Sequence, residues 1–161
     1  MPFNFEGGRK LYKQDCLGCR LANKEEKVFT VYEDSFLSCI LDHDPFNPGH
    51  VLILPKEHFD EGVDFDMKMN IAVMKAVQLI SKTIEEIYLP DGITICQNGG
   101  IFSELKHYHM HVVPRYKGQN FAEFYQDSPD IADPHEPLPS TMVKMKSMIE
   151  SLVEREKENV T

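Results

Sequence analysis

The chain lacks long apolar runs. None of its 161 residues belongs to an apolar stretch near the roughly 18 residues that a membrane-spanning helix needs. Residues 1–10 lack the apolar segment of a secretory signal peptide, and no internal repeat of about 20–50 residues is present. We therefore expect one soluble domain in the cytoplasm, with no membrane partner.

Positive charge is also scarce. The 17 basic residues face 26 acidic ones, which gives a net charge of −9. A protein of this charge has no broad basic field for nucleic acid or for an anionic membrane. A small phosphate ligand stays compatible with it, because imidazoles and backbone N–H groups can bind a phosphate within an acidic molecule.

Cysteine is limited to four residues, and in a cytoplasmic chain a disulfide framework is not expected. Cys39 and Cys96 lie within apolar, strand-like runs and are predicted to be buried thiols. Cys16 and Cys19 form a C-x-x-C pair, which indicates either half of a zinc site or a redox pair. A thioredoxin-like redox pair would follow a βα unit, and none precedes Cys16 here.

Hydrophobic periodicity predicts an α+β fold. Residues 28–32, 36–41, 50–54, 93–96 and 107–113 have strand character, and the first two are expected to form a hairpin. Residues 66–88 carry one apolar stripe and predict a helix, with Asp64 or Asp66 as its N-cap and Pro90 beyond its end. Residues 140–156 predict a C-terminal helix after a proline-rich arm at 129–139, and residues 1–15 a weakly ordered lead-in. The result is a mainly antiparallel five-stranded sheet with one main helix and a C-terminal helix.

Three histidines, His107, His109 and His111, alternate with large apolar residues. Because successive side chains of a strand point to opposite faces, a strand would place all three imidazoles on one face. The outer two would lie roughly 13 Å apart, whereas the ligand atoms around tetrahedral zinc lie only about 3.5 Å apart. The three rings are thus not expected to bind one ion together, and they must have different tasks.

The segment from His107 to Val113 resembles the motif of the histidine triad (HIT) family of nucleotide-binding hydrolases and transferases, His-φ-His-φ-His-φ-φ, in which φ is apolar. Other landmarks follow the order of that family: Cys16-Leu17-Gly18-Cys19, Asp42, residues 49–58 and Gln97-Asn98-Gly99-Gly100. The resemblance implies a HIT-like fold and a single HIT domain over residues 1–161, with a core at about 14–118 and a C-terminal arm and helix at 119–161. It also implies a homodimer in which two sheets merge, and an unprotected edge strand would be a physical motive for this.

The resemblance assigns roles to the triad. His109 is implied to be the nucleophile that forms a phosphohistidine. His111 is implied to donate a hydrogen bond to a phosphoryl oxygen, and His107 completes the catalytic set. Several relatives bind zinc through four residues that fall on Cys16, Cys19, His58 and His107, a closed set suited to a structural Zn²⁺.

The same resemblance implies a nucleotide site. Asp42 would bind the ribose hydroxyls, and His50 would border the phosphate. The apolar slot for the base would contain Ile40 with Leu21 or Phe29. Residues 101–106 depart from the family, since Glu104 stands where serine is common and the segment is shorter by about two residues. Ser103 or Asn98 is expected to replace the family's glutamine, and the leaving-group preference does not carry over.

Three functions remain open at this point. The first is a hydrolase that cleaves phosphoramidate or phosphoanhydride bonds at the α-phosphorus of purine nucleotides, either nucleoside phosphoramidates or dinucleoside polyphosphates, through His109. The second is a non-catalytic nucleotide-binding regulatory module, which the altered segment before the triad would explain. The third is a nucleotidyltransferase, although relatives with that activity are longer and often carry glutamine where this chain has His111.

Overall fold

The computed structural model describes residues 12–120 and 136–158. The helices are α1 (Leu17–Ala22), α2 (Met67–Tyr88) and α3 (Leu138–Glu158), and the strands are β1 (Thr30–Glu33), β2 (Leu37–Leu41), β3 (Val51–Pro55), β4 (Gly92–Cys96) and β5 (Met110–Arg115). Most of the predicted lead-in, and residues 129–135 of the predicted arm, lie outside the described residues. Among the helices of these two ranges, none has both the length and the apolar character that crossing a bilayer requires.

The five strands form one antiparallel sheet in the order β1-β2-β3-β5-β4. The predicted hairpin of β1 and β2 is confirmed, and Asp34 closes its turn by accepting hydrogen bonds from the backbone of Phe36 and Leu37. All five residues of β3 are buried, as expected for a central strand that is covered on both faces. The predicted α+β class and strand number are therefore confirmed.

One face of the sheet is covered by the long helix that the periodicity predicted. The Asp66 carboxylate caps α2 by accepting a hydrogen bond of 2.8 Å from the backbone N–H of Met69. The helix ends at Leu89, which adopts a left-handed conformation (φ 44°) directly before Pro90. Its buried stripe packs on β3 and β5, while α3 lies beside α2 and against β1. Tight packing on this face leaves the opposite face of the sheet for the polar site.

The last strand begins later than the alternation of residues predicts. β5 starts at Met110, so His107 and His109 precede the sheet, and the expectation of three histidines on one strand face is wrong. Lys106 turns the chain with a positive φ of 46°. The backbone N–H of Tyr108 then donates to the carbonyl of Phe59, in the loop after β3, rather than to a strand. Contacts distant in sequence thus hold residues 107–109.

Candidate functional site

Four side chains from three separate segments converge beside β3. The ligand atoms of Cys16, Cys19, His58 and His107 all lie within 4.8 Å of one another. Cys19 Sγ lies 3.5 Å from His58 Nδ1 and 3.6 Å from His107 Nδ1, and Cys16 Sγ lies 3.6 Å from His107 Nδ1. Sulfur and nitrogen ligands of tetrahedral zinc stand about 3.5 Å apart. The spacing of these four residues therefore fits such an ion.

The start of α1 positions the two cysteines. Cys16 is the N-cap of this helix and Cys19 lies in its first turn, so both sulfurs point to one side. Backbone N–H groups of Cys19 and Lys13 donate to Cys16 Sγ and Cys19 Sγ respectively, each over 3.5 Å. Between them, Gly18 allows a close approach, because a Cβ built on it would lie 2.3 Å from the Cβ of His107. Only glycine fits at this position.

Hydrogen bonds select the tautomers of the two histidines in this cluster. His107 Nε2 donates to the carbonyl of Pro55 over 3.0 Å, and His58 Nε2 donates to Asp60 Oδ1 over 3.0 Å. Lys13 Nζ also lies 3.0 Å from His58 Nε2, but an ammonium can only donate, so it forms no hydrogen bond with a nitrogen whose own hydrogen goes to Asp60. Each ring thus keeps the lone pair of Nδ1 directed at the sulfurs, the arrangement that metal-binding histidines adopt.

The burial of these four side chains favours the binding of a cation between them. It lowers the pKa of His107 to about 4, so its ring is neutral and able to bind a metal near pH 7. It also raises the pKa of the Cys19 thiol to about 11, because a buried thiolate without a positive partner is costly. A divalent ion supplies that positive charge.

His109 is held by the backbone of the first triad histidine. Its Nδ1 lies 2.9 Å from the carbonyl oxygen of His107, and a carbonyl only accepts, so Nδ1 carries the hydrogen. Nε2 of His109 consequently keeps its lone pair. The side chain is only 5% exposed, and its ring centroid lies 5.1 Å from that of His111. The available lone pair of this ring is therefore the one on Nε2.

His50 and His111 form a hydrogen-bonded pair of fixed direction. The backbone N–H of Phe46 donates to His50 Nδ1 over 3.2 Å, so the hydrogen of His50 is on Nε2. That nitrogen lies 2.9 Å from His111 Nδ1 and donates to it, which leaves the hydrogen of His111 on its own Nε2. Burial lowers the pKa of His50 to about 3 and that of His111 to about 4, so both rings are neutral. His111 is thereby a neutral hydrogen-bond donor through Nε2, beside the ring of His109.

Asp42 lies at the end of β2, beside this pair. Its Oδ2 is 3.5 Å from His50 Nε2 and 4.0 Å from His111 Nδ1, and its Oδ1 accepts a hydrogen bond of 3.0 Å from the backbone of Asp44. Burial raises the pKa of this carboxyl group above its ordinary value. The structure thus brings Asp42, His50, His109 and His111 together, as expected.

Ile40, which is predicted to contact the base, lies on the same face of the sheet as His111. Ile40 is paired with Leu52, and Leu52 with His111, and directly paired residues of an antiparallel sheet share a face. Leu21 packs against Ile40, whereas Phe29 packs against the core under the other face. Of the two alternatives, Leu21 therefore belongs with Ile40 and the expectation for Phe29 is wrong.

The altered segment leaves the sheet beside His111. The last pair between β4 and β5 joins Cys96 to His111, and the chain then continues through Asn98 to Ser103. The Gly100 N–H is fixed by a hydrogen bond of 2.9 Å to Glu61 Oε1. The hydroxyl of Ser103 is buried without a hydrogen-bond partner in the described residues, and Glu104 is exposed.

Several contributors to the site have weak sequence signals. Gly18, the Pro55 carbonyl and Asp60 support the cysteine–histidine cluster. Asp60 follows His58 by two residues, and this spacing could have indicated a carboxylate partner for a ligand histidine. The Pro55 carbonyl has no signal in the sequence, because any residue carries that group.

A family model described as HIT domain matches residues 23–118, which is more than half of the chain. The chain is a member of the HIT family. It is 37% identical over 111 residues to an uncharacterized HIT-like protein of Borreliella burgdorferi, covering 66% of this chain and 80% of that relative. It is 31% identical over 105 residues to adenylylsulfatase HINT3 of Arabidopsis thaliana, covering 64% of this chain and 53% of the plant protein.

A solved HIT structure extends the likeness beyond the matched domain. The crystal structure of a zinc-bound histidine triad family protein from Mycobacterium smegmatis has a TM-score of 0.71 and 26% identity, and it covers 88% of this chain and 97% of that one. Cys16 and Cys19 precede the residues that the HIT model matches. The two cysteines therefore have to be judged by their own geometry in this HIT protein.

Lowering the pH is expected to destabilise the protein through His50 and His111. In the unfolded chain these two histidines are protonated below about pH 6.5, whereas in the folded protein they stay neutral down to about pH 3–4. The unfolded state binds more protons in this window, so stability falls as the pH falls, by up to about 1 kcal/mol per pH unit for each histidine. Denaturant unfolding between pH 7 and 5 measures the slope. His50→Gln should make it shallower, and His43→Gln, at an exposed side chain, should leave it unchanged.

Proposed function

We propose that this HIT protein is a nucleotide hydrolase that works through a phosphohistidine at His109. The observation that carries the proposal is the pair of opposite tautomers at neighbouring rings. His109 keeps a lone pair on Nε2, while His111 keeps a hydrogen on Nε2. A nucleophile next to a neutral hydrogen-bond donor is the combination that displacement at a phosphorus atom requires.

The reaction divides one displacement into two. His109 Nε2 attacks the α-phosphorus, and the bond from phosphorus to the leaving nitrogen or oxygen breaks. The hydrogen on His111 Nε2 bonds to a phosphoryl oxygen as negative charge develops there. Water then attacks the same phosphorus, the bond to His109 breaks, and a nucleoside monophosphate is released. The carbonyl of His107 keeps the ring of His109 oriented through both steps.

The surrounding residues supply the nucleotide contacts. The Asp42 carboxylate would accept hydrogen bonds from the ribose hydroxyls, and Ile40 with Leu21 would contact a purine base. His50 orients His111 from behind the phosphate. Ser103 and Asn98 would contact the phosphate or the leaving group, and the unpaired hydroxyl of Ser103 supports this assignment. The name of the plant relative, an adenylylsulfatase, supports an adenine nucleotide as substrate.

Covalent labelling tests this proposal. The protein is mixed with adenosine phosphoramidates or diadenosine polyphosphates, quenched at high pH within milliseconds, and analysed by intact mass. We expect an acid-labile adenylyl adduct on His109 and release of the monophosphate. Tight nucleotide binding without any adduct or product would favour the non-catalytic nucleotide-binding module instead.

We also propose that Cys16, Cys19, His58 and His107 hold a structural Zn²⁺, and their spacing and tautomers support this. When bound, the ion ties the N-terminal segment to the loop after β3 and to the triad. Metal analysis of protein purified without added zinc is expected to give about one equivalent, because four ligands close the site. Cys19→Ser should remove most of the metal, whereas Cys39→Ala should retain it. Less than half an equivalent in the parent protein would contradict the site.

We propose a homodimer through the outer edge of β4. Within residues 12–120 and 136–158 this strand pairs only with β5, and Ile95 on it is 47% exposed, whereas the other edge strand, β1, contacts α3. An open edge with an apolar side chain favours pairing with a second copy. Sedimentation velocity should show a dimer that Ile95→Lys dissociates. Val143→Lys, at an exposed apolar residue on α3 (64% exposed), should leave the dimer intact.

A further inference from the structure

His107 belongs to both clusters of the site at once. Its ring lies 3.6 Å from both cysteine sulfurs, and its carbonyl oxygen accepts the hydrogen bond that fixes His109. No ladder of the sheet holds this segment, since β5 begins only at Met110. Contacts from outside the sheet therefore hold residues 107–109, and the contact of His107 with the cysteine pair is one of them.

The two cysteines are arranged so that they can react with each other. Cys16 caps α1 and is partly exposed, while Cys19 is fully buried beneath it. Their sulfurs lie within 4.8 Å, and a disulfide needs about 2.0 Å, a movement that side-chain rotation can supply across a C-x-x-C turn. Of the two residues only Cys16 is partly exposed, so we expect it to react with peroxide first.

We propose that Cys16 and Cys19 form a peroxide-sensitive modification site, whose oxidation to a disulfide releases His107 and displaces the nucleophile His109. The activity it controls is the proposed hydrolase activity, so this inference rests on that function. The site thus adds redox control to a pair of residues otherwise assigned only to metal binding.

The chemistry needs only a peroxide. The thiolate of Cys16 attacks one oxygen of hydrogen peroxide, the O–O bond breaks, and sulfenic acid and hydroxide form. The thiol of Cys19 then loses its proton as its sulfur attacks the sulfur of Cys16, the S–O bond breaks, and the departing hydroxide takes that proton to form water. Two electrons pass from the two sulfurs to the peroxide, and a proton from solvent converts the first hydroxide to water. A metal ion at the site would lose two of its four ligands in the same step.

Oxidation removes the partners of one face of His107. Its Nδ1 loses both sulfurs, while its Nε2 keeps only the bond to the Pro55 carbonyl. The backbone on either side is held from outside the sheet, since Lys106 has a positive φ and the N–H of Tyr108 donates to the carbonyl of Phe59. Loss of an outer contact of this kind lowers activity by about 10–100-fold. The nucleotide contacts of Asp42 and Ile40 are not touched, so kcat should fall while KM changes little.

The test uses the full chain loaded with zinc and titrated with hydrogen peroxide. Peptide mass analysis locates the disulfide, a colorimetric chelator measures zinc release, and nitrogen-15 NMR of the His109 ring reports its tautomer without any substrate. Cys16→His keeps four metal ligands but cannot form the disulfide, and Cys19→His is a second variant of this type. Cys39→Ala controls for a buried thiol outside the cluster.

We expect a Cys16–Cys19 disulfide, release of zinc, a changed His109 signal and a kcat lower by about 10-fold or more, all reversed by a dithiol with zinc. Peroxide should not change the zinc content, the His109 signal or the kcat of the Cys16→His protein relative to the same variant without peroxide. The inference is overturned if the disulfide does not form, or if it forms while the His109 signal and kcat stay unchanged. If no hydrolase activity exists, the proposed function fails separately, and the NMR signal still decides whether the two clusters are coupled.

Discussion

Replacing His109 by alanine is expected to lower turnover by about 10⁴-fold or more, because the Nδ1 lone pairs of the neighbouring His50 and His111 already accept hydrogen bonds and cannot replace Nε2 of His109. The imidazole is the group that would become covalently attached to phosphorus, so its loss removes the pathway rather than a single contact. Nucleotide affinity should change by less than about 10-fold, because Asp42 and the apolar residues around Ile40 remain in place.

Two measurements check this result. Release of monophosphate gives the turnover of the variant, and calorimetry with a non-hydrolysable analogue gives its affinity. His43→Ala is the matched control, because His43 lies next to the site residue Asp42 with its side chain 96% exposed. Turnover near the parent value in the His109 variant would exclude the phosphohistidine and require another nucleophile.

Replacing Gly18 by alanine is expected to destabilise the protein by about 3 kcal/mol and to weaken metal binding. The new methyl group would lie 2.3 Å from the Cβ and 2.4 Å from the Cγ of His107. These atoms are close to the backbone and cannot rotate away, so α1 and its two cysteines must move off the ring. The four-ligand spacing would then be lost.

Gly92→Ala provides the control for this change. A Cβ on Gly92 meets no atom within 4 Å, so the substitution should be tolerated. Denaturant unfolding and metal stoichiometry are measured for both variants and the parent protein. If Gly18→Ala is as stable as Gly92→Ala and binds zinc fully, the close contact between α1 and His107 is not a constraint on the cluster.

Local sequence was sufficient for the elements that local forces determine. The stripe of α2 and its cap at Asp66 follow from helical periodicity and from one side-chain hydrogen bond. The unbroken apolar run of β3 likewise predicts a strand covered on both faces. Helix α1 has only six residues, too few for any periodicity, and only the cysteine spacing marks it in the sequence.

Contacts between residues that are distant in the chain determine the features that the local sequence does not predict. Alternation from His107 onward favours a strand, but the cysteines and the Phe59 carbonyl hold the first three residues out of the sheet. Membership of a cluster was equally hard to predict, since Leu21 and Phe29 are similar in character and lie on opposite faces. The candidate ligands could be named from spacing, whereas the tautomers depend on carbonyls and N–H groups that every residue carries.

Peptide groups determine the tautomers of His50 and His109. The N–H of residue 46 donates to His50, and the carbonyl of residue 107 accepts from His109. Evolution can therefore exchange the side chain at position 46 without reversing the polarity of the His50–His111 pair. Only proline at position 46 would remove the hydrogen bond to His50, because proline has no backbone N–H to donate. The positions of the ring hydrogens therefore depend on the path of the main chain.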